Sequence, residues 1–457
     1  MSDEGLRASI EKMRQEGVAD AAINNFEHYY RQLEAGETGL MPESSIEPVT
    51  DVASLDELPS DPDAESEALQ KAIVLRLNGG LGTSMGLTAA KSLLEAKDGL
   101  SFLDIIARQV LALRESHDAR LPLVLMDSFS TRDDSLTALS EYAGLRSDVQ
   151  QDFLQNKEPK VRVDDLMPVE WPQEPSLEWC PPGHGDLYTA LVTSGMLAEL
   201  LEHGYEHAFV ANSDNLGAVL EPRILAWIRA ERIPFLMEVT DRTEADRKGG
   251  HVARRREDGR LVLRETAQTP EEDLEALQDI NRHRYVNTNN LWLDLRALDA
   301  AMRERDGVLG LPMIRNEKTV DPSDKSSPAV YQLETAMGAA IEVFEGARAL
   351  RVPRTRFAPV KTTDDLLALR SDAYVLDGGA KVSLAPQRQG RVPYVALDPD
   401  YFKLMRDFEA RFSDGPPSLV DCDRLVVEGD VHFGAHVVVR GDVTVRENVP
   451  DGAVLEG

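Results

Sequence analysis

A run of glycines after one apolar stretch and an aspartate at the end of another carry the chemistry this sequence suggests first. Leu77-Asn-Gly-Gly-Leu-Gly-Thr-Ser-Met-Gly86 follows directly on a short apolar run, Ala72–Leu77. Glycines placed after a buried strand let backbone N–H groups approach a phosphate chain closely. A tight turn needing positive φ would use the same residues, but three glycines in four positions after a strand favour phosphate binding. The loop is not a Walker motif, because Ala90 precedes Lys91 and no Gly-Lys-[Ser/Thr] occurs. It is not the usual dinucleotide fingerprint either: Gly80-Leu-Gly82-Thr-Ser-Met-Gly86 has one residue too many before its last glycine.

Four further segments have chemical content. Trp179-Cys-Pro-Pro-Gly-His-Gly-Asp186 runs into a helical stretch, and a Pro-Pro-Gly turn there presents free N–H groups and a positive dipole end. Asp186 reads as an N-cap rather than a catalytic group; His184, between two glycines, reads as a ligand contact rather than a core histidine. Asn212-Ser-Asp-Asn215 closes another apolar run. A carboxylate at a strand's carboxyl end suits a Mg²⁺ ion that also grips substrate phosphates, whereas a plain Asp/Asn turn needs no ligand. Val286-Asn-Thr-Asn-Asn290 offers amide donors and acceptors suited to sugar hydroxyls, or a polar strand edge. Pro359-Val-Lys361-Thr-Thr-Asp364 is a weak signal by itself. His432 and His436 are spaced like a ligand pair but read as loop residues of a repeat, and Arg254-Arg-Arg256 reads as a solvated hairpin turn before Gly259.

The elements that must position these groups follow from the apolar pattern. Buried strands are expected at Ala72–Leu77, Leu121–Met126, His207–Ala211 and Ile233–Val239, with helices near Leu103–Arg114, Leu187–Leu201 and Ile224–Ala230 between them. Strands alternating with helices imply a mostly parallel sheet covered on both faces, with ligands beyond the carboxyl ends of the strands. The loops after Leu77, Met126 and Ala211 should therefore share a crevice. Upstream, residues 6–33 read as helix, and Pro42–Glu67 as an acidic connector with little to bury. At the C-terminus five successive hexads open on Leu425, Val431, Val437, Val443 and Val449, the signature of a parallel β-helix. The implied division is 1–68, 69–385 and 386–457.

Composition narrows the function classes. The 457 residues carry 50 Lys+Arg against 80 Asp+Glu, a net charge of −30, which excludes a generic nucleic-acid binder and a protein held electrostatically to anionic lipid. Only Cys180 and Cys422 are present, so there is no disulfide framework. The N-terminus lacks the regions of a signal peptide, and no apolar run approaches a membrane span. A soluble cytoplasmic protein is expected. Of the basic residues 38 are Arg and 12 Lys, a balance that fits either a salt-rich cytoplasm or GC-rich codons.

Taken together, the segments resemble the UTP–glucose-1-phosphate uridylyltransferase family. The resemblance rests on residues 77–86 and 181–186, then on Asp214-Asn-Leu-Gly217, Asn287-Thr-Asn-Asn-Leu-Trp292, Gln332-Leu-Glu-Thr-Ala336 and Pro359-Val-Lys-Thr-Thr363. It implies a Rossmann-like α/β nucleotidyltransferase domain with a mixed, mostly parallel sheet, followed by a C-terminal parallel, left-handed β-helix. It also implies reversible, Mg²⁺-assisted uridylyl transfer from UTP to glucose 1-phosphate. Residue by residue, Leu77, Asn78, Gly79 and Gly80 would line the nucleotide site, and Gln155 and Gly183 would meet uracil. His184, Asn212, Ser213, Glu265 and Asn287 would contact substrate. Asp214 would hold the metal, and Lys91 and Lys361 the phosphates. The chain departs from the family at Leu87-Thr-Ala-Ala90, where many members have Gly-Pro before the lysine, and at Cys180.

The chemistry of such a transfer matches the residues. A sugar phosphate has its second pKa near 6 and is already anionic at pH 7, so no general base is required. The obstacle is one polyanion attacking another, and catalysis reduces to in-line positioning and charge neutralisation. Two alternatives remain at this level: a pyrophosphorylase for another sugar 1-phosphate such as N-acetylglucosamine 1-phosphate, or a non-catalytic UDP-sugar sensor. A homo-oligomer assembled through the β-helix is a further arrangement the repeat permits.

Overall fold

A computed structural model describes residues 2–457 as two compact units. The first comprises residues up to Leu75, Asp148–Val210 and Glu221–Val352. Its main sheet has the order Ala53–Ser54, Arg348–Arg351, Phe235–Asp241, Tyr285–Asp294, His207–Asn212, Ala72–Leu77. The sheet is mixed. Phe235–Asp241 runs parallel to Arg348–Arg351, and that strand runs parallel to Ala53–Ser54. Tyr285–Asp294 is antiparallel to both of its neighbours. The expected strands all form, shifted by a residue or two, and their apolar runs are buried, as strands covered on both faces require. Phe209 and Trp292 meet across the antiparallel pair with ring centroids 4.6 Å apart.

The N-terminal region is two helices, Ser2–Gln15 and Asp20–Glu34, rather than one. Gly17, at φ +70°, falls between them in the left-handed region that breaks a helix. Leu6, Met13, Ile23, Phe26, Tyr30 and Leu33 pack on Val161, Met313 and Leu333. Those three belong to a small antiparallel sheet ordered Met313–Thr319, Ala329–Thr335, Val161–Arg162. The second helical stretch is likewise divided, into Leu187–Thr193 and Met196–Glu202, at Gly195 with φ +81°.

The acidic connector corrects the expectation that it buries little. Ile46–Pro48 pairs with the hairpin strand His251–Arg255, and Ile46, Val49 and Leu55 are buried. Glu43 is its anchor: the carboxylate meets buried Arg264, Arg282 (2.7 Å) and His283 (3.0 Å). A third helix, Pro62–Leu69, starts at an Asp61 cap. Arg255, expected in solvent, pairs with Asp258 at 2.9 Å and with partly buried Glu342 at 2.8 Å.

The second unit comprises Arg76–Ser147, Ala211–Leu220 and Pro353–Gly457. It holds the strand Leu123–Asp127, the helices Phe102–His117, Arg132–Leu139 and Thr363–Arg370, and a four-stranded parallel sheet at the C-terminus. That sheet is ordered Tyr394–Leu397, Ser418–Val427, Val438–Val445, Val454–Glu456, every pair parallel. The hexad register reads directly as burial: Leu425, Val431, Val437, Val443 and Val449 are all buried, and so are Val427, Phe433, Val439 and Val445 two residues later. Asp372 joins the helical part to this stack by accepting from Ser418 Oγ (2.6 Å), Leu419 N (2.7 Å) and Val420 N (3.0 Å).

Candidate active site

The glycine loop of the second unit is held from below by a buried polar network. Asn78, itself buried, donates through Nδ2 to Asp127 Oδ1 at 2.7 Å and Ser135 Oγ at 2.8 Å, and its backbone N–H donates to Met126 O. Ser128 Oγ donates to Gly79 O at 3.0 Å. Gly82 and Gly86 require positive φ (+66° and +74°) and serve the turn. Gly80 does neither: its φ is not in that region, and a Cβ there would meet no protein atom within 4 Å. A glycine that the protein's own packing does not demand leaves the backbone open to close approach by a ligand.

Lys91, Asp214 and the segment before Lys361 converge. Lys91 Nζ lies 2.8 Å from Asp214 Oδ2 and also donates to Val360 O, and Val360 N donates to Asp214 O at 3.1 Å. Ser213 Oγ donates to Leu77 O at 2.9 Å, so that hydroxyl is spent on the loop's first residue. Asn212 keeps its side chain half-buried, while its carbonyl accepts from buried Arg76. Asn215, given no role of its own in the sequence reading, locks the two segments by donating to Arg356 O (3.1 Å) and accepting from Ala358 N (3.0 Å). Lys361 is exposed; its backbone N–H is held by Asp365 Oδ2 at 2.7 Å, and among the described residues no carboxylate pairs with its ammonium.

Among the described residues no cluster of three or more His, Cys, Asp and Glu is placed to hold a metal ion. Asp214 alone fits a different kind of site: its Oδ1 is buried without a hydrogen-bond partner. Mg²⁺ is commonly held by one or two carboxylates plus substrate phosphates and waters rather than by an all-protein cage.

In the first unit, the turn through Gly183 and Gly185 presses against Thr335. A Cβ on Gly183 (φ +78°) would lie 2.7 Å from Thr335 O, and Thr335 N donates to Pro182 O at 3.0 Å. Met337 N donates to His184 Nδ1 at 2.9 Å. His184 has an accessible surface but is crowded by protein atoms, and this desolvation lowers its pKa to about 4. The ring is therefore neutral at pH 7 with its proton on Nε2, a fixed outward donor. Asp186 occupies the N-cap position of Leu187–Thr193 that the sequence suggested, but its side chain bonds no N–H of that helix. It accepts instead from Asn156 N (2.6 Å) and Asn156 Nδ2 (2.8 Å), immediately after half-buried Gln155.

The amide cluster divides in two. Asn290 Nδ2 and Trp292 Nε1 each donate at 3.0 Å to Glu238, a fully buried carboxylate, and Thr288 Oγ1 donates to its carbonyl. These groups satisfy the core. Asn287 is braced instead by Asn289, through Nδ2 to Asn289 Oδ1 at 2.8 Å and Asn289 N to Asn287 Oδ1 at 2.9 Å. Asn289 adopts φ +57° to do so. Glu265 is placed by Gly250: a Cβ there would sit 2.6 Å from Glu265 Oε1, and Gly250 O accepts from Asn287 N at 3.0 Å. Glu265 and Asn287 are thus brought to one spot, with Gly250 the residue the sequence did not flag.

A mixed α/β sheet, a glycine loop braced at a strand end, and a lysine beside a carboxylate are the parts a nucleotidyltransferase uses. The family model described as UTP–glucose-1-phosphate uridylyltransferase matches residues 23–440, and the chain belongs to that family. A curated relative of that name from Hordeum vulgare is 39% identical over 465 residues, spanning 99% of this chain and 95% of the relative. The one from Saccharomyces cerevisiae is 40% identical over 395 residues, 85% of this chain and 77% of the relative. A crystal structure of a Leishmania major UDP-glucose pyrophosphorylase variant in complex with UDP-glucose superposes with a TM-score of 0.93 at 48% identity, covering 99% of this chain and 98% of that one.

Proposed function

We propose that Lys91, Lys361 and the glycine-loop amides neutralise the triphosphate while the chain carries out its family's reaction. The chain is a nucleotidyltransferase that joins UTP and glucose 1-phosphate into UDP-glucose and pyrophosphate. The sugar phosphate oxygen attacks the α-phosphorus in line, an O–P bond forms, and the bond to pyrophosphate breaks with both electrons leaving on the departing oxygen. Leu77, Asn78, Gly79 and Gly80 line the nucleotide, with open backbone at Gly80. Gln155 and Gly183 read uracil. His184 Nε2–H donates to a substrate oxygen, Asn212 and Ser213 border the sugar side, and Glu265 and Asn287 bind glucose hydroxyls.

Asp214 is the residue that would hold Mg²⁺, through the unpartnered Oδ1. The bound ion supplies positive charge against the phosphates. The C-terminal stack is read as a left-handed β-helix, and the compartment as the cytoplasm. Among the described residues no helix is long and apolar enough to cross a membrane.

One observation carries the reading: Lys91 Nζ bridges Asp214 and the carbonyl of Val360, next to Lys361. Lys91 and the carboxylate that would carry the metal come from separate segments, and phosphoryl transfer needs positive charge supplied in place against the phosphates. Pyrophosphate release from UTP with a panel of sugar 1-phosphates tests it. Turnover highest with glucose 1-phosphate is expected; highest turnover with N-acetylglucosamine 1-phosphate selects the other sugar, and no release with any selects the sensor.

A further inference from the structure

Asp186 has the wrong environment for a surface cap and the right one for a brace. It is 2% exposed, and both carboxylate oxygens are used: Oδ2 by Asn156 N at 2.6 Å and Oδ1 by Asn156 Nδ2 at 2.8 Å. The other side-chain polar atom of Asn156, Oδ1, accepts from Thr193 Oγ1 at 3.2 Å. Both side-chain polar atoms of Asn156 are thus tied to protein partners. At its other end Asp186 closes the Gly183 turn, its own N–H donating to Gly183 O at 3.2 Å. One buried carboxylate thus ties the peptide that follows Gln155 to the turn that carries Gly183.

We infer that Asp186 is a positioning residue for base recognition, holding Gln155 and Gly183 in the mutual register that selects uracil. This rests on the reading that Gln155 and Gly183 meet the base. The energetics explain why such a brace is specific. A buried carboxylate with two short N–H donors is satisfied only when both are in place, and the loss of either leaves charge uncompensated. The backbone cannot drift without that cost, so the amide of Gln155 has a fixed origin. A pocket built on fixed hydrogen-bonding groups rejects the wrong partner more strongly than one shaped by apolar contact.

The charged surroundings of Asp186 are like-signed. Glu158, from the strand Glu158–Pro159, is buried, and burial together with Asp186 and Glu334 pushes its carboxyl well above the usual range. Glu334, from Ala329–Thr335, is also raised by burial. Cys180 opposite is a buried thiol, pushed up by burial. His184 is neutral near pH 7, and Lys157 is paired with Glu16 at 2.7 Å. Asp186 itself is pushed up to about 6 by burial, against the pull of the two Asn156 donors. Protonation on descending through that value converts one acceptor oxygen into a hydroxyl facing an N–H, and the brace loosens.

The experiment uses UDP-glucose and ADP-glucose as probes, because their diphosphates carry no group that titrates between pH 5 and 8. Asp186→Asn should weaken UDP-glucose binding about tenfold and cut the UDP-glucose over ADP-glucose preference about tenfold, with kcat within about threefold. In the unaltered enzyme UDP-glucose binding should weaken as the pH falls through about 6, and Asp186→Asn should flatten that profile. Gln155→Ala separates the two claims. If it leaves base preference intact, Gln155 does not read uracil. If it lowers the preference while Asp186→Asn does not, the brace is overturned and the base reading stands. Should Asp186→Asn fail to fold, the pH profile of the unaltered enzyme decides: a flat UDP-glucose affinity from pH 8 to 5 overturns the proposal.

Discussion

Lys91 and Asp214, 123 residues apart in the chain, form a 2.8 Å ion pair that fastens the glycine loop to the turn after the strand His207–Asn212. The pair is partly buried, its side chains 17% and 22% exposed, so it is less screened than a surface pair. It leaves one oxygen of Asp214 unused. An arriving triphosphate and a metal ion would each draw on this pair, the first on Lys91 and the second on Asp214.

Asp214→Asn keeps the shape of the side chain and removes its charge. The expected result is a Mg²⁺ titration of activity displaced to higher concentration by at least about tenfold, since on the proposed reading Asp214 supplies a charged oxygen to a hard cation. An unchanged Mg²⁺ midpoint would remove Asp214 from the metal site.

Lys361 is held by its backbone, while its ammonium is exposed and has no carboxylate partner among the described residues. A cation left unneutralised in a chain of net charge −30 has a use for an anionic ligand. Lys361→Ala should lower kcat at least about 10²-fold, the size of a lost transition-state charge contact, with smaller changes in KM. Steady-state kinetics in both directions would check it, and near-normal turnover would refute the role.

The fold, and the segments that make up the candidate site, were legible where the signal is local. The apolar runs at Ala72–Leu77 and His207–Ala211 and the hexads from Leu425 are one-dimensional patterns, and burial followed them. What depends on distant partners was not legible. Glu43 looks like one acid among many until Arg264, over two hundred residues on, is folded beneath it. Asp186 looked like a helix cap because its position fits one; its true partner, Asn156, lies 30 residues upstream. The amides at 287–290 looked alike, and only the buried Glu238 separates Asn290, which serves the core, from Asn287.

Gly250 is such a hidden residue, and it is testable. Gly250→Ala places a methyl group 2.6 Å from Glu265 Oε1, too close to be accommodated without moving the carboxylate. Its backbone carbonyl would still accept from Asn287 N. The expected outcome is a rise of about tenfold or more in KM for glucose 1-phosphate, with KM for UTP within about threefold, because a displaced hydrogen-bonding group costs about 1–2 kcal/mol. A matched rise in both KM values would mean that Glu265 does not serve the sugar.

The pH dependence of stability follows from His184. Its folded pKa of about 4 lies below the ordinary 6.5, so between those values the unfolded chain binds the proton and the folded chain does not. Stability contributed by the neutral ring is complete above pH 6.5 and is lost as the pH falls toward 4. Asp186, raised to about 6, acts with the opposite sign: there the folded chain binds more protons than the unfolded one, so its contribution improves as the pH falls from about 6 toward 4. His184→Gln keeps a hydrogen-bonding side chain and abolishes the titration. Thermal unfolding at pH 7.5 and pH 5 should then show a smaller drop in Tm on acidification than the unaltered enzyme shows. An equal drop would mean that the His184 ring titrates near its ordinary value, and that the Met337 N–H does not hold Nδ1 unprotonated across this range.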